Sequence, residues 1–108
     1  MADIENGVLI NKIYGNYIKI PDGVTEIGDK VFSGCRRLKE IVIPESVTKI
    51  GNRAFSDCRI LKEIVIPESV TEIGNEAFTY CSSLERIKLP ETINEQISKY
   101  IQNIKYTQ

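Results

Sequence analysis

The sequence predicts a short solenoid: an α/β, mostly β, right-handed stack of 23-residue coils with a parallel sheet along one side, a β-hairpin cap in front and a helical cap behind. Three observations point there. Prolines stand at 21, 44, 67 and 90, each 23 residues after the last. The stretch LKEIVIPESVT occurs twice, at Leu38–Thr48 and Leu61–Thr71, letter for letter. Like residues also recur in columns at that period: Ile18, Ile41, Ile64, Ile87; Val24, Val47, Val70, Ile93; Gly28, Gly51, Gly74; Phe32, Phe55, Phe78; Cys35, Cys58, Cys81. A fixed period of this size marks stacked repeats, in which each coil faces only its neighbours and so presents the same shape above and below.

At this period the chain divides into GNYIKIPDGVTEIGDKVFSGCRR (15–37), LKEIVIPESVTKIGNRAFSDCRI (38–60), LKEIVIPESVTEIGNEAFTYCSS (61–83) and a fourth coil that opens LERIKLPET and then departs. Within a coil, LKEIVIP alternates inward and outward at strand period. Proline, with no N–H to donate, then ends the pairing. SVTKIGN reads as a turn whose glycine can take a positive φ. In NRAFSDC, Asn52 is placed to cap a short helical turn that carries Phe55 inward. One strand, one turn and one helical turn per coil make a continuous ladder with a phenylalanine spine.

The ends differ from the middle. Val8–Ile13 and Tyr17–Ile20 flank YGN and read as a hairpin, whose outer strand would cover the sheet edge. At the back, Thr92 and Glu95 form a capping box. Ile93, Ile97, Tyr100, Ile101 and Ile104 then recur at helical spacing. The organisation is one domain over 1–108: front cap 1–14, repeats 15–91, back cap 92–108. Two caps imply a complete small protein.

With these residues in place, the pattern LxxIxIPxxVxxIGxxAFxxC resembles the BspA-like (treponemal-type) leucine-rich repeat, over roughly Gly7 to Pro90. The opening GVLINKIYGNYIKIP is similar to the hairpin that often precedes such repeats. The resemblance implies a leucine-rich-repeat solenoid and a protein that binds host or partner proteins, in a family found mainly on bacterial and protozoal surfaces. The chain departs from that family's usual pattern in being short and in lacking an export signal.

Composition narrows the chemistry. The 108 residues are 42% hydrophobic and 27% charged, with net charge −1 and a pI near 5.5. This balance argues against a nucleic-acid partner. No apolar run approaches the ~20 residues that cross a bilayer, so no membrane partner is expected. The start, MADIENGVLINK, has no basic n-region or long apolar h-region. As given, this implies the cytoplasm; a removed leader would imply the cell surface or secretion. Histidine and tryptophan are absent. Without histidine, Ser–His and Cys–His pairs are impossible, and so is a His-containing zinc site. No cofactor, metal or catalytic residue is expected. The cysteine column reads as free, buried thiols that fill core space, and the acidic series Asp22, Glu45, Glu68, Glu91 as a solvated rim.

The candidate site is the outward face of the strands: Tyr17, Lys19, Lys39, Glu40, Val42, Lys62, Glu63, Val65, Arg86 and Lys88, with Asn16 and Glu85 beside them. Val42 and Val65 are adjacent apolar residues, with Tyr17 and Arg86 at the corners; Tyr and Arg are favoured interface anchors. Stacking Glu40 over Glu63 at ~5 Å costs at most about 1 kcal/mol in water. Lys39 and Lys62 are expected to offset it, leaving a self-neutralised surface. The function expected is non-catalytic protein binding through this face and the adjoining loops, with a homodimer as one way to enlarge a small surface. Two alternatives stay open: a small intracellular inhibitor, of phage or mobile-element type, that blocks a host enzyme or nucleoprotein, and a structural or engineered repeat scaffold.

Overall fold

The structure is a computed structural model, and it describes residues 3–11, 15–93 and 105–107. It is a mostly β solenoid of about three turns. Each coil begins with a three-residue strand: β3 (Tyr17–Lys19), β5 (Glu40–Val42), β7 (Glu63–Val65) and β9 (Arg86–Lys88). Each strand has an exposed–buried–exposed pattern, so the central isoleucine points in and its neighbours point out, as a period of two requires.

Each of the three full coils also holds a second strand where a plain turn was predicted. These are β4 (Glu26–Ile27), β6 (Lys49–Ile50) and β8 (Glu72–Ile73). They pair in parallel, Glu26 with Lys49 and Lys49 with Glu72. A two-residue strand carries too little alternation to be told from a turn. The glycine that follows each strand does not need a positive φ. Gly51 is where successive coils touch: a Cβ there would lie 2.7 Å from Asp29 N and 2.8 Å from Gly28 C.

The front of the solenoid differs from the predicted hairpin. The antiparallel pair is β1 (Ile4–Glu5) with β2 (Val8–Leu9). Asn6 and Gly7 join them at φ 51° and 82°. Asn–Gly with both residues at positive φ matches the strand twist and is the strongest short hairpin signal. β2 then pairs with β4, giving a five-stranded sheet in the order β1-β2-β4-β6-β8. Val8 and Tyr17 therefore lie in different sheets, and the cover protects the second sheet rather than the edge at β3.

The predicted helical turns are also corrected. Segments 29–34, 52–57 and 75–80 are successive turns with left-handed residues at Lys30, Arg53, Asp57, Glu76 and Tyr80. Alternate N–H groups point at the next coil: Arg53, Phe55 and Asp57 donate to the carbonyls of Asn75, Ala77 and Thr79 at 2.8–2.9 Å. Asn52 caps no helix. Its N–H donates to Asp29 Oδ1 and its own Oδ1 accepts the Asn75 N–H, both at 2.8 Å. A short amide or carboxylate side chain thus carries the ladder from coil to coil.

At the back, Glu91–Ile93 is one turn of 3-10 helix and β10 (Lys105–Thr107) is a strand parallel to β9. The described part of the predicted helical cap 92–108 is therefore not α-helical. Residues 94–104, which hold Glu95 and the apolar series from Ile97 to Ile104, lie outside the described residues.

The core is built from the predicted columns, except that Cys35 and Ile73 are only half-buried against it. Phe32 and Phe55 stack with ring centroids 5.3 Å apart and planes 4° from parallel. Phe55 and Phe78 follow at 5.6 Å and 2°. Offset parallel rings are a favoured aromatic geometry, and the column forms the continuous spine that the repeat predicts. The Cys58 and Cys81 thiols are buried and donate to the carbonyls of Phe32 and Phe55. The neighbouring Cys81 thiol, together with burial, pushes the Cys58 thiol above the usual range.

Candidate protein-binding face

All the predicted face residues are exposed: Tyr17 and Lys19 on β3; Lys39, Glu40 and Val42 on or beside β5; Lys62, Glu63 and Val65 on or beside β7; Arg86 and Lys88 on β9. They share one face because the strands hold them in a 23-residue register. Tyr17 is 69% exposed, Val42 50% and Val65 47%, so the face combines an aromatic corner with two apolar residues among charges.

The sheet beneath is not continuous. β3 pairs with β5 and β7 pairs with β9, but β5 and β7 form no ladder. Bonds present at the flanking junctions are missing here. Lys39 and Glu40 both donate to the Asn16 carbonyl, and Glu85 and Arg86 to the Lys62 carbonyl. The N–H groups of Lys62 and Glu63 have no such partner on Lys39. Ile20 donates to Val42 and Ile66 to Lys88, while Ile43 does not reach Val65. The result is a seam opening into a cleft of about 540 Å³ lined by Lys39, Glu40, Val42, Lys62, Glu63 and Val65.

The charges account for the place of the seam. At β3–β5, Asn16 and Tyr17 face Lys39 and Glu40, neutral against charged. At β7–β9, Lys62 and Glu63 face Glu85 and Arg86, opposite against opposite. Between them, the exact duplicate places Lys39 against Lys62 and Glu40 against Glu63. Like charges directly opposite destabilise a strand pair, and parallel pairing is already the weaker kind. The expected self-neutralisation does not hold the strands together: among the described residues, none of these four side chains is in an ion pair.

The second sheet shows the converse at the same coils. There Glu26, Lys49 and Glu72 alternate in sign and the ladder is closed. Lys49 Nζ lies 3.3 Å from Glu72 Oε2, and that bond and charge hold the lysine's pKa above its ordinary value. The two halves of the solenoid are thus joined on the β6–β8 side and along the phenylalanine spine, and parted on the strand face. Sequence reasoning found the face but missed the seam, although its signal was the repeated KE of LKEIVIP.

A second groove of about 580 Å³ lies on the turn side, among Lys30, Arg53, Asp57, Arg59, Glu76 and Tyr80. Its charges are largely matched within the chain: Arg53 to Glu76 at 3.0 Å and Arg59 to Asp57 at 2.7 Å.

No curated protein matches the chain. Solved structures do. A leucine-rich repeat protein from Eubacterium ventriosum is 28% identical with a TM-score of 0.71, over 91% of this chain and 28% of that one. A leucine rich cell surface protein from Faecalibacterium prausnitzii is 27% identical with a TM-score of 0.66, over 94% of this chain and 35% of that one. The chain therefore spans about a third of the length of these proteins. The family model for the BspA type leucine rich repeat region matches residues 2–107 in six copies. The periodic columns, the stacked coils and this match over nearly the whole sequence agree: the chain belongs to the BspA type leucine-rich repeat proteins.

Proposed function

We propose that the chain is a non-catalytic protein-binding module that works through the exposed strand face and the loops beside it. Leucine-rich repeat proteins generally bind other proteins, and the family is generally non-enzymatic. The observation that carries the reading is the joint exposure of Tyr17, Val42 and Val65 on one face, with Arg86 in register beside them. Large apolar and aromatic residues held in the open, rimmed by charge, supply the anchors that interfaces use.

Size sets a bound. Four strands at ~4.8 Å spacing span about 20 Å, so the face covers a few hundred Å². A standard interface buries about 800 Å² on each partner. The loops, or a second copy of the chain, would have to supply the rest. Concentration-dependent sedimentation supports the second copy; a strict monomer at high concentration leaves the loops. The binding reading is tested by comparing wild type with a Tyr17→Ala, Val42→Ser, Val65→Ser, Arg86→Ala variant as bait in the source-cell extract. Loss of a defined partner with the circular dichroism spectrum unchanged is the expected result. A partner retained at full strength moves the site off this face.

A further inference from the structure

We propose that the seam between β5 and β7 is the recognition point of that face, and that it takes an extended protein segment bearing neighbouring acidic and basic side chains. The inference rests on the reading of the strand face as the binding face and goes one step further, to the chemistry of what is bound.

Lys39, Lys62, Glu40 and Glu63 all line the cleft, the two lysines and the two glutamates at matching positions of successive coils. Across this junction each residue faces its own charge, and among the described residues none of the four is in an ion pair. A carboxylate set between the two lysines turns one repulsion into two attractions, and an ammonium or guanidinium set between the two glutamates does the same. The main chain adds to this. The Lys62 and Glu63 N–H groups, which have no main-chain partner among the described residues where the ladder is open, are donors for the incoming carboxylate. Charge-assisted bonds of this kind are the stronger ones. Val42 and Val65 line the cleft beside the charges and offer the segment's apolar side chains a contact. The flanking junctions lack the feature, because neutral or opposite residues already face each other there.

The same chemistry explains selectivity. A partner with only acidic groups meets Glu40 and Glu63, and one with only basic groups meets Lys39 and Lys62. A segment with both signs in the matching order satisfies all four.

The test is an amide-resolved NMR titration of the full chain at low ionic strength. The probe is the capped peptide acetyl-Thr-Asp-Val-Lys-Thr-amide; controls are its Asn/Gln counterpart, sodium sulfate alone and guanidinium alone. The charged peptide should shift the amides of residues 39–43 and 62–65 and saturate in roughly the millimolar range. The neutral counterpart should bind about tenfold more weakly or worse, and added salt should weaken the charged one. Exchange of the two charges on β5 (Lys39→Glu with Glu40→Lys), which removes both like pairs, should cost about tenfold or more in affinity. Silent seam amides overturn the proposal. So do equal responses to both peptides, full binding by the exchanged variant, or the same shifts from either ion alone. Shifts at Tyr17 and Arg86 with a silent seam overturn it while leaving the wider face in place. Failure of the wider face shows instead as a partner retained by the four-residue surface variant.

Discussion

Exchanging Lys39→Glu with Glu40→Lys should close the seam and stabilise the protein. The exchange keeps composition and net charge. On its other side β5 faces Asn16 and Tyr17, both uncharged, so no attraction is lost there. Against β7, two repulsive pairs become attractive. Unit charges ~5 Å apart in water interact by about 0.8 kcal/mol, and physiological salt, with a screening length of ~8 Å, roughly halves this. Reversing two pairs is thus worth about 1.8 kcal/mol. The diagonal pairs, Lys39 with Glu63 and Glu40 with Lys62, reverse the other way. At ~7 Å they are weaker and return about 1 kcal/mol. The net expectation is a stabilisation of about 1 kcal/mol, within the range of exposed ion pairs. For a domain of this size that raises Tm by about 4–8 °C. Urea unfolding measures the gain. Hydrogen exchange at Ile43, Lys62 and Glu63, whose N–H groups would gain carbonyl partners, locates it. At about 1 M salt, where the screening length falls to ~3 Å, the gain should shrink. A variant no more stable than wild type at low salt, with those amides still exchanging fast, refutes the electrostatic account. A gain indifferent to salt refutes it too.

Three further substitutions probe the stack. Phe55→Ala removes the ring that touches both Phe32 and Phe78 and should cost about 3–5 kcal/mol in urea unfolding; a loss under about 1 kcal/mol would show that the spine contributes little. Gly51→Ala puts a Cβ 2.5 Å from Asp29 Oδ1 and 2.7 Å from Asp29 N, and this overpacking should cost about 1–3 kcal/mol, read as a fall in the urea midpoint at unchanged m-value. Asn52→Ala leaves the Asn75 N–H without its 2.8 Å acceptor and should cost about 1 kcal/mol, whereas Asn52→Asp, which places at this position the carboxylate that Asp29 carries one coil earlier, should restore most of it; equal melting temperatures for the two variants would contradict the ladder role.

Much of the architecture is legible in the residues because it follows from local alternation. Ile18, Ile41, Ile64 and Ile87 are buried and their neighbours exposed, as period two demands. Phe32, Phe55 and Phe78 stack because identical side chains at one period have nowhere else to go. The differences from that reading have two sources. β4, β6 and β8 are two residues long, and only their pairing with one another makes them strands. The sequence reading places the hairpin turn at YGN, although Asn6–Gly7 in ENG carries the stronger chemistry. Asn52 fits a helix cap by type, but the acceptor it supplies serves the next coil and not its own. For the short strands and for Asn52 the deciding partner lies one coil away; for the hairpin the signal was local.

What the chain determines alone is therefore the repeat: its period, the inward face of each strand and the aromatic spine, all set by which side chains avoid water. The exposed residues of the strand face follow from the same alternation. What the tertiary structure decides is which edges meet and whether they hold. That choice rests on differences of about 1 kcal/mol between facing charges and main-chain bonds in water. It takes the assembled register to show that two identical strands, set one upon the other, part where their charges coincide.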